Sequence, residues 1–127
     1  MAKSKPFSAV LRISEVRITK AALEAALEAR LDRYEPERSG SLHYAQVDIP
    51  VADDIWIAVV DCIGTIGSRI SSLRQAGSIG AASVDLAVSF KEGSVALSIV
   101  IPSHTAETVG RYGIDIQLWI YLTSENQ

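Results

Sequence analysis

Residues Ala82–Phe90 read ASVDLAVSF, and their apolar side chains recur at every second position. That alternation is the period of a β-strand with one buried face. Val95–Ile101 (VALSIVI) alternate in the same way, and Lys91, Glu92 and Gly93 separate the two runs. A short connection that contains glycine, placed between two alternating runs, is typical of an antiparallel hairpin, and we predict one here.

Three further segments have strand character. Phe7–Ile13 (FSAVLRI) alternate clearly. Leu42–Val51 favours a strand that must end near Pro50, because proline has no N–H to donate to a ladder. Ile114–Leu122 alternate as well, and the set predicted to point inward is Ile114, Ile116, Leu118, Ile120 and Leu122.

Helical spacing of 3.6 residues appears twice. Thr19 is placed to cap a helix that runs through KAALEAALEAR to Leu31. A longer helix, starting at Asp53 or Asp54, is indicated by apolar residues at steps of three and four: Ile55, Val59, Ile63, Ile66, Ile70 and Leu73. Its β-branched opening, Ile55–Val60, leaves an alternative in which the preceding strand continues and the helix begins only at Asp61.

A short third helix and one loop complete the order of elements. Ser103 is the predicted cap of a helix through Tyr112, with Gly113 as the left-handed residue after it. The charged stretch Arg30–Arg38, followed by Ser39 and Gly40, is predicted to be a solvated loop.

The resulting order is β-α-β-α-β-β-α-β, and its last six elements match the split arrangement of ferredoxin-like folds. We expect an α+β fold with an antiparallel-rich sheet and helices packed on one face. A chain of 127 residues fits one domain, residues 1–127, with loose termini at 1–6 and 123–127.

Composition excludes several classes of function. The chain has 12 Lys and Arg against 15 Asp and Glu, a net charge of -3, whereas nucleic-acid domains usually carry a basic excess. The longest apolar run, Ile55–Val60, is too short to span a bilayer, so no membrane association is expected. Cys62 is the single cysteine, which fits a reducing cytoplasm.

The opening FSAVLRIS (residues 7–14), followed shortly by a helix, and the closing GIDIQLWIY (residues 113–121) resemble a bacterial family known as domain of unknown function 4279. The resemblance covers both ends of the chain and, loosely, the predicted hairpin. It implies no activity, cofactor or catalytic residue, since that family has no established activity.

Chemistry-bearing residues are few and scattered. His43 and His104 have no ligand spacing to each other or to Cys62, so we expect no metal and no cofactor. Cys62 lies beside the apolar stripe and is predicted to be an inert core thiol. Asp53 and Asp54 stand where a helix N-terminus favours acidic residues, which explains them without acid-base catalysis.

The far face of the sheet is the most informative feature. If the apolar sets face the helices, alternation places Arg12, Asp85, Gln117, Trp119 and Tyr121 on the opposite face. Val10, Ser83, Ser89, Ser98, Val100 and Asp115 are predicted to share that face. Large aromatics near an arginine on a polar surface are typical of interface anchors, although they could instead cover each other or an adjoining loop.

We therefore predict a non-catalytic interaction protein, of the immunity or regulatory kind, that pairs with itself as a homodimer or with another protein through this face. The alternative is a small-molecule-binding protein or enzyme. Its pocket would lie between the sheet and the long helix, near Glu35–Tyr44 and Val51–Trp56.

Overall fold

The computed structural model describes residues 4–38 and 42–124, which form five strands and three helices. In chain order these are β1 (Ser8–Val16), α1 (Lys20–Leu27), β2 (Arg33–Pro36), β3 (His43–Asp48), α2 (Ile55–Gln75), β4 (Ala81–Lys91), α3 (Ser103–Arg111) and β5 (Asp115–Thr123). The predicted α+β class is confirmed. The strands form a single mixed sheet in the order β2-β3-β1-β4-β5.

The ferredoxin-like order is wrong. Strands β1 and β3, β1 and β4, and β2 and β3 pair antiparallel, but β4 and β5 pair parallel. The sheet is antiparallel-rich, as expected, but within the described part of the chain the antiparallel pair of consecutive strands is β2 with β3, before the long helix and not after it. The parallel pair needs a crossover connection, and residues 92–114 with α3 supply it.

The predicted hairpin Ala82–Ile101 has only one of its two strands. The turn exists, since Gly93 has a φ of 89° and Ser94 N–H donates to Lys91 O. Beyond it, Val95 is fully exposed and the chain makes only an isolated bridge at Ser98. Because β1 occupies one side of β4 and β5 the other, the second run cannot pair with β4 as a hairpin requires.

Two boundaries differ near the first helix. Thr19 caps α1 as predicted, but the helix ends at Leu27 because Glu28 takes a left-handed conformation with a φ of 53°. Leu31 is buried nevertheless, which is why the apolar spacing predicts a longer helix. The predicted loop Arg30–Arg38 contains β2, a short charged edge strand, and the expected loop residues Ser39 and Gly40 lie outside the described residues.

The long helix begins at Ile55, so the alternative start at Asp61 is wrong. Asp54 is its N-cap, and its carboxylate accepts a 2.8 Å hydrogen bond from Trp56 N–H. The 21 residues of α2 are long and apolar enough to cross a membrane by length and composition alone. Their predicted apolar stripe, however, is the buried face that packs on the sheet, as in the core helix of a globular domain.

One apolar layer joins the sheet to all three helices on one side. Its fully buried large side chains are Leu11, Ile13, Val16, Leu23, Leu27, Val59, Ile63, Ile70, Val84, Leu86, Val88 and Val109. The N-terminal segment is also held to the body, since Ser4 N–H donates to Ser98 O at 2.8 Å and Pro6 is buried.

The inward set predicted for the last strand lies on the helix side, but only its first part is buried. Ile114 is buried and Ile116 is half-buried, but Leu118, Ile120 and Leu122 are exposed. The helix layer reaches only the first part of β5, and the second part extends beyond it.

Gly113 takes the left-handed conformation predicted for it, with a φ of 69°, although α3 is capped by Pro102 with no side-chain hydrogen bond from Ser103. The Tyr112 ring beside it packs against Gly67 of α2. A Cβ added at Gly67 would lie 2.2 Å from Tyr112 Cδ2, so this glycine is what lets α2 and the end of α3 come together.

We expect Gly67→Ala to lower the free energy of unfolding by about 1–3 kcal/mol, because the added methyl group must displace a packed ring. Gly64→Ala is the matched control on the same helix, since a Cβ there meets nothing within 4 Å. The control should gain about 0.5–1 kcal/mol from better helix propensity. Urea unfolding of both variants measures this, and equal shifts of the same sign would contradict the packing.

Candidate functional site

Among the residues that the structure describes, one face of the sheet is covered by no helix, and it is called here the open face. It comprises the side chains of β1, β4 and β5 that alternate with the buried ones: Ser8, Val10, Arg12, Ser14, Ala81, Ser83, Asp85, Ala87, Ser89, Asp115, Gln117, Trp119 and Tyr121. All five residues of the predicted site, Arg12, Asp85, Gln117, Trp119 and Tyr121, lie on it. Ser98 and Val100, also predicted there, do not, since their segment is not a strand of the sheet.

Asp85 is a buried carboxylate at the middle of this face, with only 4% of its surface exposed. Ser83 Oγ donates to its Oδ1 at 2.5 Å, and Trp119 Nε1 donates to its Oδ2 at 3.0 Å. Arg12 Nε lies 3.4 Å from the same Oδ2 as an ion pair. A buried carboxylate is costly unless it is paired and hydrogen-bonded, and these three neighbours meet that need.

Arg12 on β1 contacts aromatic side chains of β3 and of β5, the strand beyond β4. Its guanidinium carbon lies 5.9 Å from the ring centre of Tyr44 on β3 and 5.9 Å from that of Trp119 on β5. Cation–π contacts of this range are attractive and hold the flexible arginine in place. The Tyr44 hydroxyl in turn donates to the carboxylate of Glu35 on β2.

Glu35, Tyr44, Arg12, Asp85 and Trp119 therefore form a chain of contacts across the sheet, one residue from each strand, called here the cross-sheet network. The sequence prediction missed Glu35 and Tyr44. Tyr44 lies within the predicted strand Leu42–Val51, but its place beside Arg12 depends on β3 being next to β1, which alternation alone does not predict.

Two predicted anchors point into solvent at the edge of the network. Trp119 is 41% exposed and Tyr121 52% exposed. Tyr121 also contacts Phe7, whose ring centre lies 6.4 Å away at an angle of 51°. The aromatics therefore touch neighbours without being covered by them, so the interpretation that they only shield each other is not sufficient.

Gln117 lies beside a shallow depression on the same face. The depression has a volume of about 630 Å³ and is lined by Arg12, Ser14, Ala81, Ala82, Ser83, Asp115, Ile116 and Gln117. A second, smaller depression of about 200 Å³ lies next to it, between Arg12, Asp85, Trp119 and Tyr121. The five predicted residues thus form one continuous surface.

The pocket expected for a small-molecule binder has a different location. A groove of about 400 Å³ does lie at Trp56, but its lining comes from the first turns of α2 and α3, with Asp54, Ile57 and His104 among its residues, instead of from the sheet and α2. The small-molecule alternative stays a prediction.

The remaining chemistry-bearing side chains lie apart. His43 stacks on Tyr34 in the sheet, with ring centres 4.6 Å apart, and His104 is exposed in the first turn of α3. Within residues 4–38 and 42–124, His, Cys, Asp and Glu form no group of three that could hold a metal ion. Cys62 is half-buried on α2 beside the core, and burial raises the pKa of its thiol above the usual 9.0.

Comparisons with protein-family models, with curated proteins and with solved structures find no match to this chain. The resemblance to domain of unknown function 4279 stays a prediction. What the chain does must therefore be argued from the open face itself.

We expect Asp85→Asn to lower the free energy of unfolding by about 1–3 kcal/mol, because the amide has one acceptor oxygen where the carboxylate uses two and has no charge to pair with Arg12. Asp115→Asn is the matched control, an exposed carboxylate on the same face. Urea unfolding of both variants measures the difference. If both lose the same amount, Asp85 does not hold the network together.

We expect Cys62 to react more slowly with iodoacetamide at pH 8 in the folded chain than in urea, because the raised pKa leaves a smaller fraction of thiolate in the folded state. The rate should climb as the pH passes 9.0, where an ordinary thiol is already half ionised. Mass spectrometry of quenched samples follows the reaction. Equal rates in the folded and unfolded chain would show a reactive cysteine.

Proposed function

We propose that this chain is a non-catalytic protein-interaction module, of the immunity or regulatory kind, that binds its partner through the open face. The observation that carries the proposal is the pair of exposed aromatics, Trp119 and Tyr121, held beside the ion pair that the half-exposed Arg12 forms with the buried Asp85. Tryptophan, tyrosine and arginine are the residues most enriched where binding energy concentrates in protein interfaces.

The geometry supports binding because the anchor residues are already fixed in place. Asp85 accepts the indole N–H of Trp119, and Arg12 lies against the same ring. A side chain whose conformation is set before binding loses less entropy when a partner covers it. The exposed part of the indole is thus presented in one orientation.

The chemistry of the face favours a protein over other partners. The open face combines both signs of charge with aromatic and hydroxyl groups, and the whole chain carries a net charge of -3. A nucleic-acid surface would need a basic excess that this chain lacks. The proposed partner is a protein of the cytoplasm, either a different chain or a second copy of this one.

The double variant Trp119→Ala, Tyr121→Ala should keep the fold and weaken association at least tenfold, which is the loss expected when central anchors are truncated. Ile57→Ala is the control, an exposed apolar residue on α2 far from the open face in the fold. Circular dichroism checks the fold of both variants. Light scattering across a concentration series, and affinity capture from extracts of the source cells, measure association.

Equal association of the wild-type chain, the control and the double variant would contradict the proposal. A wild-type chain that neither self-associates nor captures any protein through this face would do the same.

A further inference from the structure

The outer edge of β5 differs from the rest of the surface. Five consecutive large side chains are exposed on both faces of this strand: Leu118 37%, Trp119 41%, Ile120 53%, Tyr121 52% and Leu122 73%. A monomer rarely exposes such a run, because apolar area in water is costly and invites association. Within the described residues, no strand pairs with the outer side of β5.

The strand also lacks every feature that normally protects a sheet edge. Edges are protected by shortness, charged side chains, proline or bulges. Strand β5 is nine residues long, and residues 116–122 (IQLWIYL) contain no charge, proline or glycine. Its unpaired N–H and C=O groups are therefore a template for another strand.

The opposite edge of the same sheet is protected. Strand β2 has only four residues, RYEP, two of which are charged and one of which is proline. Pro36 cannot donate a hydrogen bond, and Arg33 and Glu35 would have to lose water if a strand covered them. The sheet thus has one protected edge, at β2, and one unprotected edge, at β5.

We propose that β5 pairs antiparallel with β5 of a second copy of this chain, about a two-fold axis near Trp119, to form one continuous ten-stranded sheet. The inference rests on the proposed function, since it names the second copy as a partner, but it places the contact on the strand edge as well as on the open face. Two-fold pairing of identical strands is necessarily antiparallel.

The side chains of β5 match their own copies in this register. Leu118 lies opposite Ile120 of the second copy and Ile116 opposite its Leu122, so the exposed apolar set on the helix side is paired with itself. On the open face, Gln117 lies opposite Tyr121 of the second copy, and the two Trp119 side chains meet at the axis.

The charged residue of β5 is compatible with this antiparallel register. Asp115 is the one charged residue of β5, and it lies at the start of the strand. In the antiparallel register the two Asp115 carboxylates are eight residues apart, about 26 Å at about 3.3 Å per residue. That distance exceeds the screening length of about 8 Å at physiological salt, so the two acidic residues do not oppose pairing.

Closure at two copies follows from the other edge. After β5 has paired, the combined sheet ends in a β2 strand on each side, and both ends are protected. The assembly therefore stops at a dimer and does not grow into a filament.

Light scattering of the full chain tests the pairing with one charge placed on the strand. The wild-type chain should have twice the 13.7 kDa mass of one copy. Ile120→Lys should shift it to the single-copy mass, with association at least tenfold weaker, because a lysine on each strand would be buried against Leu118 of the other copy. Ile57→Lys changes a somewhat more exposed isoleucine, on α2, and should leave the dimer intact.

Hydrogen exchange of the wild-type chain gives a second measurement that needs no variant. Backbone amides of residues 115–123 should exchange at least tenfold more slowly at concentrations where the dimer forms than in the dilute monomer. Unchanged exchange in this strand would overturn the pairing even if Ile120→Lys failed to fold.

The outcomes separate the pairing from the proposed function. A dimer that survives Ile120→Lys but is lost in the Trp119→Ala, Tyr121→Ala variant would overturn edge pairing and support the open face as the contact. A wild-type chain that stays at the single-copy mass at every concentration would overturn edge pairing, and the capture experiment would still test the open face against another protein.

Discussion

The pairing of β4 on both of its sides is the constraint on which the rest of this structure depends. Strand β1 takes one side antiparallel and β5 takes the other side parallel. The parallel pair requires the chain to cross from one end of the sheet to the other, which places α3 on the helix side and leaves Val95–Ile101 as a connection. It also makes β5 the last strand of the sheet, so the most apolar strand in the chain ends with one edge unpaired.

The same strand carries the residue that organises the open face. Asp85 projects from β4 away from the core, and its carboxylate is almost completely covered. A charge that has lost its water must be compensated by neighbours, and the only strands within reach are β1 and β5, which provide Arg12 and Trp119. The hydrogen bond that the buried Asp85 carboxylate accepts from Trp119 therefore also fixes the position of the exposed indole.

Local patterns in the sequence predicted what depends on neighbours along the chain. Alternation predicts which side chains of β1 and β4 share a face. It places Asp85 on the same face as Arg12 and Trp119 without any information on strand order. It could not predict that order, because the run at Val95–Ile101 has the same period as a true strand. That run is excluded from the sheet because β1 and β5, which are distant in sequence, occupy both sides of β4. The charged strand β2, with Glu35 of the cross-sheet network, was missed for the related reason that a protected edge has the composition of a loop. Tyr44 was missed because its contact with Arg12 depends on the pairing of β3 with β1.

The exposed side of β5 follows from a mismatch between the lengths of neighbouring elements. Helix α3 has nine residues, about 14 Å at 1.5 Å per residue, whereas the nine residues of β5 extend about 30 Å. A helix of that length can cover only part of the strand, and it covers the part near Ile114 and Ile116. Leu118, Ile120 and Leu122 continue the same apolar alternation without a cover. In the pairing proposed above, β5 of the second copy lies beside these side chains and extends the apolar layer. The protected β2 edge shows that exposed strands in this same sheet are otherwise kept polar.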